Sequence, residues 1–304
     1  TNVIEGMLAG IGIIIILKQL PHAFGYDSDF EGDLAFSQSD GSNTFSSLLG
    51  IVDYVQFGSI IIATMSLIIL IAWDKVPFLK KLKLIPGALI AVILGVVLNE
   101  IFTSTGSSLA IGKDHLVSLP IPSTLEEFKQ IIVTPNFSGI TNPKVWIIGL
   151  TIAIVASIET LLCIEAADRM DVHKRYTDTN VELKAQGIGN LVSSLLGGLP
   201  MTSVVVRTSA NNNAGAKSKM SAIIHGILLL LSVITIPAIL NKIPLATLAA
   251  ILLLVGYKLA KPATFKHFWK NGKYQFAPFI ATLLAVVFLD LLKGVALGLI
   301  ISVF

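Results

Sequence analysis

Gly197-Gly198-Leu199-Pro200-Met201-Thr202-Ser203-Val204-Val205-Val206-Arg207-Thr208 places helix breakers, hydroxyls and a cation in a chain whose other segments are mostly long and apolar. In water this stretch is an ordinary loop. In a bilayer it is expensive, because backbone N–H and C=O groups left unpaired in hydrocarbon cost several kcal/mol each. Non-helical chain persists at membrane depth only where protein or a watery cavity satisfies it. The flanks decide which solvent applies.

They decide for lipid. Of the 304 residues 54% are hydrophobic and 13% charged, against about a quarter charged in soluble domains. Apolar runs at 3–20, 60–73, 85–98, 145–164, 223–240 and 276–289 approach the roughly 20 residues a helix needs to cross a bilayer. So many runs exclude a signal peptide or the core helices of one soluble domain. The net charge of +3 is small and no basic run suggests nucleic acid. The single cysteine, Cys163, lies in an apolar run and excludes an internal disulfide or a cysteine-based zinc site. His22, His115, His173, His225 and His267 are scattered without metal-ligand spacing, so no metal is expected. No Ser-His-Asp set or phosphate-binding glycine loop is visible, and no cofactor is expected. The chain begins at Thr1 without an initiator Met and ends inside the apolar stretch 294–304, which reads as part of a longer protein.

Working outward, the sequence yields about ten membrane segments. The first, 3–20, closes at Pro21 and leads to a loop carrying Asp27, Asp29, Glu31, Asp33 and Asp40 and no Lys or Arg. The second is built from 45–73, with a polar first half around Asp53 and Gln56, and ends in Lys75, Lys80, Lys81 and Lys83. The third, 86–102, opens with Pro at the first turn, where a missing N–H is harmless. It leads to the long loop 103–143, in which Pro120 and Pro122 favour extended chain. The fourth, 144–167, runs into a charged loop with Arg169, Lys174 and Arg175, and the fifth is 184–196. The broken stretch follows, then 220–240, 244–260, 276–290 and 291–304, with Lys258, Lys261, Lys266, Lys270 and Lys273 clustered in between. The excess of Lys and Arg puts all basic loops on the cytoplasmic side and the acidic loop outside.

Two features point to chemistry. A helix that restarts near Val205 aims its free N–H groups and positive dipole end at an anion, and Arg207 one turn inside adds a full charge. This makes Ser203, Val204, Val205 and Arg207 the candidate anion-binding residues. Glu159, in Ser157-Ile158-Glu159-Thr160, lies inside the fourth apolar segment. A carboxylate there is a functional hypothesis by default, able to take up and release a proton or to hold a cation. A hydrogen bond to a neighbouring helix is the structural alternative. Asp168-Arg169-Met170-Asp171 has acids three apart, a spacing also found in membrane enzymes that hold magnesium and a diphosphate. A solvated interhelical loop explains it better, since the neighbouring Arg169, Lys174 and Arg175 balance the acids.

The segments Ala156-Ser157-Ile158-Glu159-Thr160-Leu161-Leu162 and Glu182-Leu183-Lys184-Ala185-Gln186-Gly187-Ile188-Gly189-Asn190 resemble the sulfate permease (SulP) family. So do Gly197-Gly198-Leu199-Pro200 with Arg207-Thr208, and Ala214-Gly215-Ala216-Lys217. Val3-Ile4-Glu5-Gly6, Lys18-Gln19-Leu20-Pro21-His22 and Ile85-Pro86-Gly87-Ala88 fit it too. The family includes sulfate and bicarbonate transporters, chloride exchangers and the motor protein prestin. The resemblance implies two inverted repeats of seven helices, of which this chain matches the fifth to fourteenth, without the first four and without the cytoplasmic STAS domain. It implies an anion held between two half-helices, with Ser203-Val204-Val205 matching the start of the second and Arg207 the cation found there in prestin-like relatives. Bicarbonate relatives that use sodium carry Asp where this chain has Glu159, and Thr at the positions of Cys163 and Val205. Glu159 is more similar to the proton-coupled members.

The expected fold is therefore an all-α polytopic membrane protein, part of a seven-plus-seven inverted-repeat transporter with a broken helix near residues 197–215. Residues 1–304 are expected to form one partial transmembrane transport domain in the cell membrane. The expected function is proton-coupled transport of a small inorganic oxyanion, sulfate on the resemblance, with Glu159 as the coupling residue. Sodium-coupled bicarbonate transport or anion exchange is the alternative within transport, and a membrane enzyme acting on a lipid diphosphate through Asp168 and Asp171 is the alternative outside it. Expected partners are the inorganic anion, sulfate or bicarbonate, the proton, the lipid bilayer and a second copy in a homodimer.

Overall fold

The computed structural model describes residues 2–27, 43–51, 54–80, 85–121, 126, 135–171, 174–204, 207–208, 211–212, 215–289 and 291–303. Among them the chain is helical and has no strand beyond an isolated antiparallel bridge between Leu116 and Pro244. The helices in chain order are α1 (Asn2–Phe24), α2 (Thr44–Gly50), α3 (Phe57–Lys75), α4 (Gly87–Ser104), α5 (Pro143–Met170) and α6 (Thr179–Leu195). They continue with α7 (Met220–Thr235), α8 (Leu245–Leu259), α9 (Pro262–Lys270), α10 (Lys273–Phe288) and α11 (Leu291–Val303). Helices α1, α3, α4, α5 and α8 with α9 are long and apolar enough to cross a membrane, and α7, α10 and α11 are shorter apolar helices. The chain is a multi-pass membrane protein.

It divides into two compact units, Thr1–Leu119 with Ala238–Phe304, and Pro120–Pro237. In the first unit, α1 packs against α8 and α10, while α3 packs against α4 and α8. Helix α4 shows how such packing differs from that of a soluble helix. Its residues Leu89, Ile93, Val97 and Ile101, four apart, form an exposed apolar stripe, and Ala91, Gly95 and Asn99 on the opposite face are buried. Large apolar side chains face outward and small ones face protein. This follows from lipid as solvent: tails are as apolar as Leu, so helices associate through close contact at small residues.

The same rule governs the α1–α8 seam. A Cβ on Gly12 would stand 2.6 Å from the Gly256 carbonyl oxygen, and one on Gly256 would stand 2.7 Å from the Gly12 carbonyl oxygen. Neither backbone can withdraw from the other without separating the helices.

Two expected boundaries differ. Helix α1 does not close at Pro21 but runs to Phe24, because proline removes one N–H yet its fixed φ still suits a helix. The helix ends instead at Gly25, φ +87, where Tyr26 N–H donates to the Pro21 carbonyl at 2.9 Å. Asp27, grouped by sequence with an exposed acidic loop, is buried: its carboxylate meets His22 Nδ1 and His115 Nδ1 at 2.5 Å each. The second segment is not one run over 45–73 but α2 followed by α3. Gln56 has extended backbone, and its N–H donates to the Phe24 carbonyl at 3.0 Å, so the start of α3 is tied to the end of α1. Asp53 lies outside the described residues. In addition, the basic stretch between α8 and α10 forms a helix of its own, α9.

Gly256→Val should force α1 and α8 apart and destabilise the protein by about 1–3 kcal/mol, the range for overpacking a tight core. Thermal unfolding in detergent checks this, with Val97→Leu on the exposed stripe of α4 expected to leave the midpoint unchanged.

Candidate functional site

The second unit is built around the junction of α5 and α6. Asn142 caps α5, its side chain accepting from Lys144 N–H at 3.0 Å, with Pro143 at the first helical position. Asp178 caps α6 by accepting from Asn180 and Val181 N–H. The loop between them uses the acids of the diphosphate hypothesis. Asp168 accepts from the N–H and hydroxyl of Thr177 at 2.9 and 2.7 Å, and Asp171 makes a two-pronged pair with Arg175. Arg175 also donates to the Lys217 carbonyl at 2.9 Å, and the Asp171 carboxylate pushes its guanidinium pKa up. Both acids hold a turn together rather than presenting free oxygens. Among the described residues, no group of three His, Cys, Asp or Glu side chains is placed to hold a metal ion.

Helix α6 stops at Leu195, Gly197 takes φ +78, and residues 198–204 carry no regular structure. Side chains satisfy the freed backbone. The Asn190 amide embraces Met201, with Oδ1 accepting from its N–H at 2.6 Å and Nδ2 donating to its carbonyl at 2.9 Å. Gln186, one turn earlier on the same face of α6, donates to that carbonyl at 3.1 Å. Ser193 Oγ donates to the Leu199 carbonyl at 3.1 Å, and Gly198 N–H donates to the Ser193 carbonyl at 2.8 Å.

A hydroxyl relay fastens the stretch to α5. Thr202 Oγ1 donates to the Ala156 carbonyl at 3.2 Å, which leaves Thr160 as the donor in the 3.0 Å contact between the two threonine hydroxyls. Thr160 Oγ1 is fully buried and accepts from Ser203 N–H at 3.4 Å. Helix then resumes: Thr208 N–H donates to the Val204 carbonyl at 3.1 Å, and Arg207, Thr208, Asn211 and Asn212 are helical. It closes at Gly215, φ +86, where Gly215 N–H meets the Asn212 carbonyl and Ala216 N–H the Asn211 carbonyl, the glycine-ended arrangement common at helix C-termini. The broken helix expected near 197–215 is present.

The predicted site residues fall as follows. Glu159 is half-buried and lines a cleft with Ala156, Pro200, Met201 and Thr202, so the carboxylate and the helix break share one hollow. Ser203 touches the Glu159 helix through its backbone. Val204 is 43% exposed, and Val205 lies outside the described residues. Arg207 opens into a different hollow, about 660 Å³, with Thr208, Asn211, Ser221 and His225. Glu159 and the break thus share one hollow, and Arg207, three residues past Val204, lines another. Cys163, buried one turn beyond Glu159, has its Sγ 3.9 Å from Thr208 Oγ1.

The profile of the sulfate permease family matches residues 1–282. The chain belongs to this family. YvdB of Bacillus subtilis, provisionally named a sulfate transporter, is 28% identical over 99% of this chain and 53% of its own length. The bicarbonate transporter BicA of Picosynechococcus sp. is 25% identical over 99% of this chain and 49% of its own. The solved transmembrane domain of a cyanobacterial BicA superimposes with a TM-score of 0.70 at 25% identity, covering 97% of this chain and 68% of that one. The family and these relatives are transporters, not enzymes, which together with the bonded state of Asp168 and Asp171 sets the lipid-diphosphate reading aside. The chain spans about half the length of the curated relatives it matches.

Sequence reading did not assign roles to Gln186, Asn190, Thr160 or Thr202. Two amides four apart on one helix face, just ahead of a glycine-proline break, are the signal that could have found the first pair. Asn190→Ala should orphan the Met201 N–H, at about 1–3 kcal/mol, leave its carbonyl to Gln186 alone, and loosen residues 198–204. Limited proteolysis and thermal unfolding check this, with Ser194→Ala as the exposed control.

Proposed function

We propose that this chain is the transport domain, in whole or in part, of a proton-coupled carrier for a small inorganic oxyanion, sulfate in the first place, working by alternating access. The observation that supports this best is the shared hollow of Glu159 and the pinned break: non-helical backbone next to a carboxylate that can change charge. An anion near Ser203, Val204 and Val205, where the helix restarts, meets the positive helix end. Arg207, one turn further on, raises the local potential; among the described residues it has no ion-pair partner. Glu159 carries the proton, taking it up as the oxyanion binds and giving it up on release. The family description and YvdB favour sulfate. The excess of Lys and Arg puts the loops near 75–83, 169–184 and 258–273 on the cytoplasmic face.

One observation favours a second reading, sodium-coupled bicarbonate transport. The Thr160 and Thr202 hydroxyls next to Glu159 are oxygen donors of the kind a hard cation takes, and BicA is a bicarbonate transporter.

Uptake by proteoliposomes separates the two. Glu159→Gln keeps the shape of the side chain and fixes its charge at zero, so sulfate accumulation driven by a pH gradient should fall to background while anion-for-anion exchange persists. Glu159→Asp should lose less than Gln, and sodium should change little. Accumulation that survives in the Gln variant sinks the proton role, and strict sodium dependence replaces it with the second reading.

A further inference from the structure

Helix α9, nine residues long, sits between two apolar helices and differs from both in chemistry. The chain turns away from α8 at Lys261, which holds extended backbone ahead of Pro262, and turns again at Gly272, φ +99, before α10 begins. One side of α9 faces protein. Phe268 is buried and stacks on the fully buried Phe279 with ring centres 4.8 Å apart, and Phe265 meets the same ring edge-on at 5.2 Å. The helix is therefore fixed in orientation by a ring that belongs to the core of α10.

What it turns outward is basic and aromatic. Lys261, Lys266, Lys270 and Lys273 are exposed, and so are Trp269, at 70%, and Tyr274, at 87%. Trp269 is steadied by an edge contact with Phe276 at 4.9 Å. Lys258, at the end of α8, is bound to Asp74 and does not belong to the patch. No Asp or Glu occurs between Glu182 and Asp290. Among the described residues, the acid near α9 is Glu5 on α1, which lines a hollow with His267 and Phe268. Among the described residues, no ion pair compensates the charge of these four lysines.

A patch of lysines alone is a solvated surface. Here the lysines surround an exposed indole and phenol between the apolar helices α8 and α10, a setting like the headgroup level at which Trp and Tyr collect in membrane proteins. A short helix with one apolar face and a basic outer face lies in that plane. Lysine stems run along apolar surface while their ammonium groups reach phosphate, and basic residues next to a membrane are drawn to anionic lipids over about a Debye length. We propose that α9, with Lys261, Lys273 and Tyr274, is a docking site for anionic phospholipid headgroups. The proposal does not depend on which ion couples transport or which anion moves.

The test reads lipid class at Trp269. With Trp73 and Trp146 replaced by Phe, Trp269 is the remaining indole of the chain's three. In reconstituted vesicles, brominated phosphatidylglycerol should quench it several-fold more than brominated phosphatidylcholine at equal content, and added salt should narrow the difference. Lys261→Gln, Lys266→Gln, Lys270→Gln and Lys273→Gln together should abolish the preference while phosphatidylcholine quenching stays, which shows that the helix is still in place. Arg at the same four positions should keep the preference. Equal quenching by the two lipids in the parent, or a preference that persists in the four-Gln variant, overturns the proposal. Quenching by neither lipid overturns it too and puts the lysines against water or a soluble acidic partner.

Discussion

The two hydrogen bonds between the Asn190 amide and the backbone of Met201 allow this chain to leave the helix inside a membrane. An amide side chain is suited to the task because it offers one donor and one acceptor in a fixed geometry, the complement of a peptide unit. It thereby replaces the two bonds that Met201 would have made in a continuous helix. Gln186 and Ser193 extend the same substitution along α6, and the Thr202–Thr160 relay anchors the stretch to α5. Without these partners, residues 198–204 have no stable place at membrane depth. The cleft in which Glu159 faces Pro200 and Thr202 follows from that anchoring.

Much of this was legible in the sequence because lipid imposes simple rules. The outward Leu89, Ile93, Val97 and Ile101 of α4, and the small residues between them, announce a spanning helix by period and size alone. Gly197, Gly198 and Pro200 announce a break, and Gly215 its far end, because their backbone preferences are local. The position of Glu159 in an apolar run marks it without any knowledge of its neighbours.

What was not legible depends on partners distant in sequence. Asp27 reads as part of an acidic loop until His115, 88 residues away, is placed beside it. Pro21 reads as a helix end because its missing N–H is visible in the sequence and the later stop at Gly25 is set by Tyr26 and Gln56 folding back. The amphipathic α9 was hidden by its lysines, which read as a loop until Phe268 finds Phe279. Arg207 lines a hollow with His225, while the relay holds the break on α5 beside Glu159, and neither neighbourhood is visible in the sequence.

The central claim is that oxyanion binding at the break and protonation of Glu159 are one coupled event. Proton uptake on ligand binding measures it most directly: purified protein in weakly buffered detergent solution, with an indicator dye, is titrated with sulfate near neutral pH. The account predicts that the solution turns more alkaline as sulfate binds, in proportion to occupancy, and that Glu159→Gln binds sulfate with no such change. Sulfate binding without proton uptake in the parent would contradict it.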